Sequence, residues 1–159
     1  MSVNKGDKIP AATLKVMGKD GPESMSTDAV FAGKKVVLFA VPGAFTPGCT
    51  VTHLPGYVVN ADKIKAKGVD TIACVAVNDA FVMDAWGKSQ NADEILMLSD
   101  GNAEFSKALG LTMDASGFGM GTRSRRYAMI VNDGVIEHLA VEDGAGVNVS
   151  AAEKIMEQL

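Results

Sequence analysis

Cysteine is scarce in this chain: 159 residues hold two, Cys49 and Cys74, with no C-x-x-C pair. A disulfide framework and a cysteine-rich zinc site both need more thiols at closer spacing, so neither organises the protein and no metal is expected. Cations are also short, with fifteen Lys and Arg against nineteen Asp and Glu and a net charge of −4. A nucleic-acid surface relies on many Lys and Arg neutralising phosphates, so no nucleic-acid partner is expected. Long apolar runs are missing as well, since none approaches the ~20 residues of a membrane span. The opening stretch MSVNKGDKIPAATLKV has no apolar core of signal-peptide length, and the expectation is a cytoplasmic protein with no membrane partner. Internal repeats and low-complexity segments are absent too.

What is there is ordinary globular usage, 47% apolar and 21% charged. A chain of this length buries roughly two-thirds of its unfolded surface around one core, so residues 1–159 read as a single domain. The strongest local signal is the apolar run 36–41 (VVLFAV), preceded by Gly33-Lys34-Lys35 and stopped by Pro42-Gly43. Its length and β-branched content predict a strand buried on both faces. A second such run, 69–77 (VDTIACVAV), ends at Asn78-Asp79. Between them Val51, Leu54, Tyr57, Val58, Ala61 and Ile64 fall near helical spacing, with Lys65, Lys67 and Gly68 as a C-terminal signature. Strand, helix, strand is a right-handed crossover, and the two strands are parallel. Pro55-Gly56 inside the helix predicts a kink, because proline removes a donor and collides with the preceding turn.

Asn78 is placed as the cap of a second helix through Trp86, followed by a short strand at 95–98 and one or two helical turns at 105–109. After a Gly- and Arg-rich loop, 116–126, two apolar runs at 127–131 and 135–141 flank Asn132-Asp133-Gly134, a strong hairpin signal. A last helix spans 150–158. Parallel strands, an antiparallel hairpin and interspersed helices give an α/β fold with a mixed central sheet covered on both faces.

Open α/β sheets bind ligands beyond the carboxyl ends of their strands, which directs attention to the residues after Val41: Pro42-Gly43-Ala44-Phe45-Thr46-Pro47-Gly48-Cys49. Pro47 and Gly48 stand where a helix begins, placing Cys49 in its first turn over the positive end of the dipole. That position favours a thiolate nucleophile. Thr46, three residues earlier, is within reach of the sulfur, and Arg123, Arg125 and Arg126 approach the start of an interior strand.

PGAFTPGC carries the pattern P-x-x-x-T-x-x-C at Pro42, Thr46 and Cys49, and with PGAFTPGCTVTHLPGY, VNDAFVMDAW (77–86) and RRYAMIVNDG (125–134) the chain resembles the peroxiredoxins, in particular the peroxiredoxin-5 or plant type II subfamily. The resemblance covers nearly the whole length. It implies a thioredoxin-like fold, reduction of hydrogen peroxide and small alkyl hydroperoxides, Cys49 as peroxidatic cysteine, Thr46 and Pro42 shaping its pocket, and Arg126 holding thiolate and peroxide. It also implies a homodimer whose active-site loops meet, which some of Phe45, Phe81, Trp86 and Phe118 would serve. No cofactor is expected.

Two residues keep alternative readings. His53, four positions after Cys49 on the same helix face, is either an auxiliary base or a satisfied helix histidine under the site. Cys74 is either an inert core thiol or a resolving cysteine that attacks a Cys49 sulfenic acid. Relatives with a late resolving cysteine differ here, where DGAGVNVSAAEK has Val149. The expectation is therefore a one-cysteine cycle resolved by glutathione, alone or with glutaredoxin, with thioredoxin as the second choice of reductant. A peroxide sensor built on the same thiol is the alternative outside catalysis. A cysteine hydrolase using Cys49 and His53 lacks an identifiable third group to orient the histidine.

Overall fold

The structure, a computed structural model, describes residues 2–159. The chain opens with a hairpin of β1 (Thr13–Gly18) and β2 (Gly21–Ser26), followed by α1 (Thr27–Phe31), capped by the Ser26 side chain. None of these three shows in the apolar periodicity. β2 is an edge strand that faces solvent and carries Pro22, so alternation has no buried face to report.

The run at 36–41 forms β3 (Lys35–Ala40), leading through a loop and a helical turn into α2 (Leu54–Ala66) and then β4 (Thr71–Ala76), parallel to β3 as expected. α3 (Ala80–Ser89), β5 (Ile95–Ser99) and α4 (Glu104–Leu109) follow, with β5 parallel to β4. A small hairpin forms from β6 (Thr112–Asp114), just before the Gly- and Arg-rich region, and β7 (Thr122–Ser124), inside it where the sequence suggested only loop. β8 (Tyr127–Asn132) and β9 (Val135–Val141) make the expected hairpin, with Asp133 and Gly134 both at positive φ, as its two-residue turn demands. α5 (Ala152–Met156) closes the fold.

The seven-stranded sheet runs β2-β1-β5-β4-β3-β8-β9. It is mixed: β3, β4 and β5 are mutually parallel, and the flanking pairs are antiparallel. Alternation along β3 divides the core. Val37, Phe39 and Val41 face one layer with Tyr57 and Ile64 of α2, Trp86 of α3 and Ile155 of α5. Val36, Leu38 and Ala40 face the other with Phe31 of α1 and Phe105 and Leu109 of α4. Both faces of the central strands are thus covered, which is why 36–41 reads as an unbroken apolar run. Among the described residues no helix is long and apolar enough to cross a membrane, and no group of His, Cys, Asp and Glu is arranged to hold a metal ion.

Two local expectations are corrected. Asp79, not Asn78, caps α3 by accepting the Val82 N–H at 2.8 Å. Asn78 lies one residue too early for that helix, and its Oδ1 instead accepts the Ala44 N–H at 2.9 Å, tying the loop after β3 to the loop after β4. Pro55 does not appear as a bare kink. It sits in the first turn of α2, immediately after a π-helical turn, Cys49–His53, in which the Leu54 N–H donates to the Cys49 carbonyl. Widening that turn by one residue accommodates a proline that has no N–H to give and whose ring would otherwise meet the preceding turn.

Candidate active site at Cys49

β3 delivers the chain to Pro42, and the next residues make a tight loop in which Phe45 adopts φ 65°, a costly conformation for a bulky side chain. The helix that follows begins at Pro47, and the Thr50 N–H donates to the Thr46 carbonyl at 3.0 Å, so Thr46 stands at its N-terminal boundary. This places Cys49 in the first turn, as the sequence suggested. Its thiol is fully buried.

Two polar groups reach the sulfur. The Thr46 hydroxyl lies 2.9 Å from Cys49 Sγ and 2.6 Å from the Gly43 carbonyl, so its single proton has two acceptors within range. Arg126 Nη2 is 3.3 Å from Sγ, and its guanidinium is itself buried. Arg126 Nη1 is held at 2.8 Å by His53 Nδ1, while Arg126 Nε, also buried, has no hydrogen-bond partner. Of the three arginines weighed in the sequence, Arg126 is the one brought to the cysteine. Arg123 instead donates to the Met120 and Pro42 carbonyls and Arg125 to the Glu142 carbonyl, bracing the loops on either side.

His53 is almost wholly buried and its pKa is pushed down to about 4, first by burial and then by the charge of Arg126. It is neutral at neutral pH. Its Nε2 lies 3.1 Å from the Ser150 carbonyl, a pure acceptor, so the ring proton resides on Nε2 and the Nδ1 lone pair faces the guanidinium. That lone pair is engaged by Arg126, and no hydrogen bond joins His53 to Cys49, which leaves little for a base or a hydrolase dyad to work with. Tyr57 stacks on Phe39 at 3.9 Å between ring centroids and donates to the same Ser150 carbonyl at 2.7 Å.

Cys74 is fully buried in the middle of β4, on the core face that also holds Cys49. Burial pushes its thiol well above the ordinary range, and the neighbouring Cys49 adds to that. Pro42, Thr46, Gly48 and Arg126 line a cavity of about 550 Å³ whose far wall includes Met113, Phe118 and Met120. Its surface is mostly apolar, with polar groups from Thr46, Arg125, Arg126, Glu142 and Asp143.

Sequence reasoning missed Ser150, Tyr57 and Glu142. Ser150 lies 97 residues from His53, and it is the carbonyl that matters, a group every residue carries. Tyr57 read simply as part of the apolar stripe of α2. Glu142 gave no signal beyond a charge after an apolar strand.

Comparison with known proteins agrees with this geometry. Residues 4–156 match the family model described as Redoxin. Peroxiredoxin-2E-2, chloroplastic, of Oryza sativa subsp. japonica is 49% identical over 160 residues, covering 97% of this chain and 71% of that protein. Peroxiredoxin-2E, chloroplastic, of Arabidopsis thaliana is 45% identical over 163 residues, covering 99% and 70%. The crystal structure of reduced Prx3 from Vibrio vulnificus in complex with hydrogen peroxide superposes with a TM-score of 0.95 at 58% identity, covering 98% of each chain. The expected cytoplasmic localisation is overturned by the two plant relatives, whose names place those proteins in the chloroplast. Compartment is not written in the chemistry of a folded domain, so composition and the opening residues were no guide to it. By family match, relatives and fold together, the chain belongs to the redoxin family and is a peroxiredoxin, a thiol peroxidase on the thioredoxin-like fold.

Proposed function

We propose that Cys49 is the peroxidatic cysteine, with Thr46, Pro42 and Arg126 forming its pocket, and that it runs a one-cysteine cycle on hydrogen peroxide and small alkyl hydroperoxides. The observation that carries this reading is the pair of contacts on one buried sulfur, Thr46 Oγ1 at 2.9 Å and Arg126 Nη2 at 3.3 Å. The thiolate attacks the terminal peroxide oxygen, an S–O bond forms as the O–O bond breaks, and the departing hydroxide or alkoxide takes up a proton to leave as water or alcohol. Positive charge at Arg126 and a hydroxyl proton at Thr46 sit where negative charge passes from sulfur to the leaving oxygen. Hydrogen peroxide bound to the Vibrio relative supports the substrate. The apolar wall of the cavity supports the alkyl hydroperoxides.

The Cys49 sulfenic acid then condenses with glutathione, releasing water and forming a mixed disulfide. A second thiol, free or on glutaredoxin, takes the glutathione away and regenerates Cys49. Depth of burial at Cys74 and Val149 in place of a late cysteine favour this route over an internal disulfide with thioredoxin as donor. Both core layers share β3, β4 and β8, which supports reading the chain, expected from its sequence to be a single domain over 1–159, as one unit. Exposed Phe45 in the loop before Cys49, Phe118 in the cavity wall and Phe81 in the first turn of α3 support a homodimer.

The test is intact mass and free-thiol count after one equivalent of hydrogen peroxide, on the parent, Cys49→Ser and Cys74→Ser. The expected product is a Cys49 sulfenic acid that glutathione clears, unchanged in Cys74→Ser. A Cys49–Cys74 disulfide with loss of both thiols would install Cys74 as resolver, and no rapid oxidation of Cys49 would end the reading. Oxidation without repeated turnover on glutathione or thioredoxin would make the protein a sensor.

A further inference from the structure

Glu142 lies at the end of β9 with 5% of its surface exposed, and one of its carboxylate oxygens accepts three hydrogen bonds: from the Asn148 N–H at 2.7 Å, the Ser150 N–H at 2.8 Å and the Ser150 hydroxyl at 2.7 Å. Its main chain is braced at the same point, the N–H donating to the Arg126 carbonyl and the C=O accepting from Arg125. A nearly buried carboxylate with three donors is a strong fixture, since hydrogen bonds to a charged acceptor are about twice as strong as neutral ones.

That fixture holds Ser150, and the carbonyl of Ser150 faces His53 Nε2 at 3.1 Å. A carbonyl can only accept, so it selects the imidazole tautomer with the proton on Nε2 and a bare lone pair on Nδ1. The other tautomer would set an N–H against the Arg126 Nη1 donor 2.8 Å away. With Nη1 anchored there, Nη2 points at Cys49. The chain Glu142, Ser150, His53, Arg126, Cys49 is continuous in hydrogen bonds and spans the whole base of the site.

We propose that Glu142 is a positioning residue of the peroxidase site, acting through Ser150 to fix His53 as its Nε2–H tautomer and so to aim Arg126 at Cys49. This rests on the reading of Cys49 as the peroxidatic cysteine. A carboxylate that merely stapled the 143–149 loop would leave the imidazole tautomer and the reaction rate as they are, so those two readouts separate the roles.

The chain has two histidines, so a ¹⁵N-histidine spectrum resolves His53 from His138. In the parent at neutral pH, His53 is expected with Nε2 protonated and Nδ1 bare. Glu142→Ala is expected to average the two tautomers and to slow stopped-flow reaction with hydrogen peroxide by about tenfold, the scale of a small misplacement of a reacting group. Glu142→Gln keeps an acceptor oxygen and is expected to restore the single tautomer and bring the rate to within about threefold of the parent. Should Glu142→Ala not fold, Ser150→Ala removes one of the three donors and is expected to slow the reaction about threefold with partial averaging. A parent His53 protonated on Nδ1 overturns the proposal, as does a single Nε2–H tautomer with parental rate in Glu142→Ala, or in Ser150→Ala where that stands in. A parent that does not react rapidly with peroxide defeats the reading of Cys49 instead, and the tautomer result is then judged separately.

Discussion

At the scale of single residues, the site is a matter of a few contacts made close and kept dry. Gly48 shows how little room is left: its backbone is ordinary right-handed helix, φ −62° and ψ −37°, so any residue could adopt it. A Cβ there, however, would lie 3.2 Å from Arg126 Nη2, and that side chain is buried and pinned by His53, so it can give way only by leaving the sulfur. Gly48→Ala is therefore expected to leave stability within about 1 kcal/mol of the parent, the gain in helix propensity being offset by the displaced guanidinium. The same change is expected to slow peroxide reduction about tenfold. Urea unfolding beside stopped-flow kinetics separates a small effect on stability from a large one on rate. Pro42, Thr46 and Cys49 were legible because they fall within eight residues of sequence, and a short motif keeps its geometry wherever a strand runs into a helix. Arg126 was legible by resemblance, while Glu142 and Ser150 were not, because the groups they use are common and their partners are distant in sequence.

At the scale of elements, the start of the cysteine helix and the segment after β9 are joined through buried titratable groups, and this makes their packing sensitive to acid. His53 is neutral in the fold, its pKa pushed down to about 4 by burial and by Arg126, whereas in the unfolded chain it has the ordinary value of 6.5. Between those values the unfolded state binds the proton and the folded state does not, so stability is complete above about 6.5 and declines as pH falls toward 4, by on the order of 3 kcal/mol. Glu142 adds to the decline at lower pH. Burial alone would raise its pKa, but hydrogen bonds from Ser150 and Asn148 outweigh burial and hold it below the usual 4.5. Its contribution is present above that value and lost as pH falls through the folded one. Urea titrations at pH 7.5, 6 and 5 on the parent and His53→Gln are expected to show a fall in the parent that the variant largely lacks. Equal pH dependence in both would place the sensitivity elsewhere. The π-helical turn belongs to this scale as well. Pro55 announced an irregularity, but a kink and a one-residue widening answer the same steric problem, and the fold takes the second, with Leu54 and Tyr57 buried in the core beyond it.

At the scale of the whole molecule, Phe45 in the loop before Cys49, Phe81 in the first turn of α3 and Phe118 in the cavity wall are 55%, 65% and 83% exposed, and large exposed apolar side chains are what an interface covers. A dimer that meets through these side chains would cover them. Sedimentation of the parent as a dimer, moved to monomer by Phe118→Glu together with Phe45→Glu, is the expected result; a monomeric parent would remove the dimer from the account. The sequence by itself determined the parallel core of the sheet, because strands buried on both faces must be apolar throughout, and it determined where Cys49 stands, because Pro-Gly after a strand opens a helix with the cysteine in its first turn. Tertiary structure alone decided the edge hairpin at 13–26 and the chain from Glu142 to Arg126. An edge strand has no buried face to impose a pattern, and backbone carbonyls and lone pairs acquire their meaning only when folding sets them a few ångströms apart.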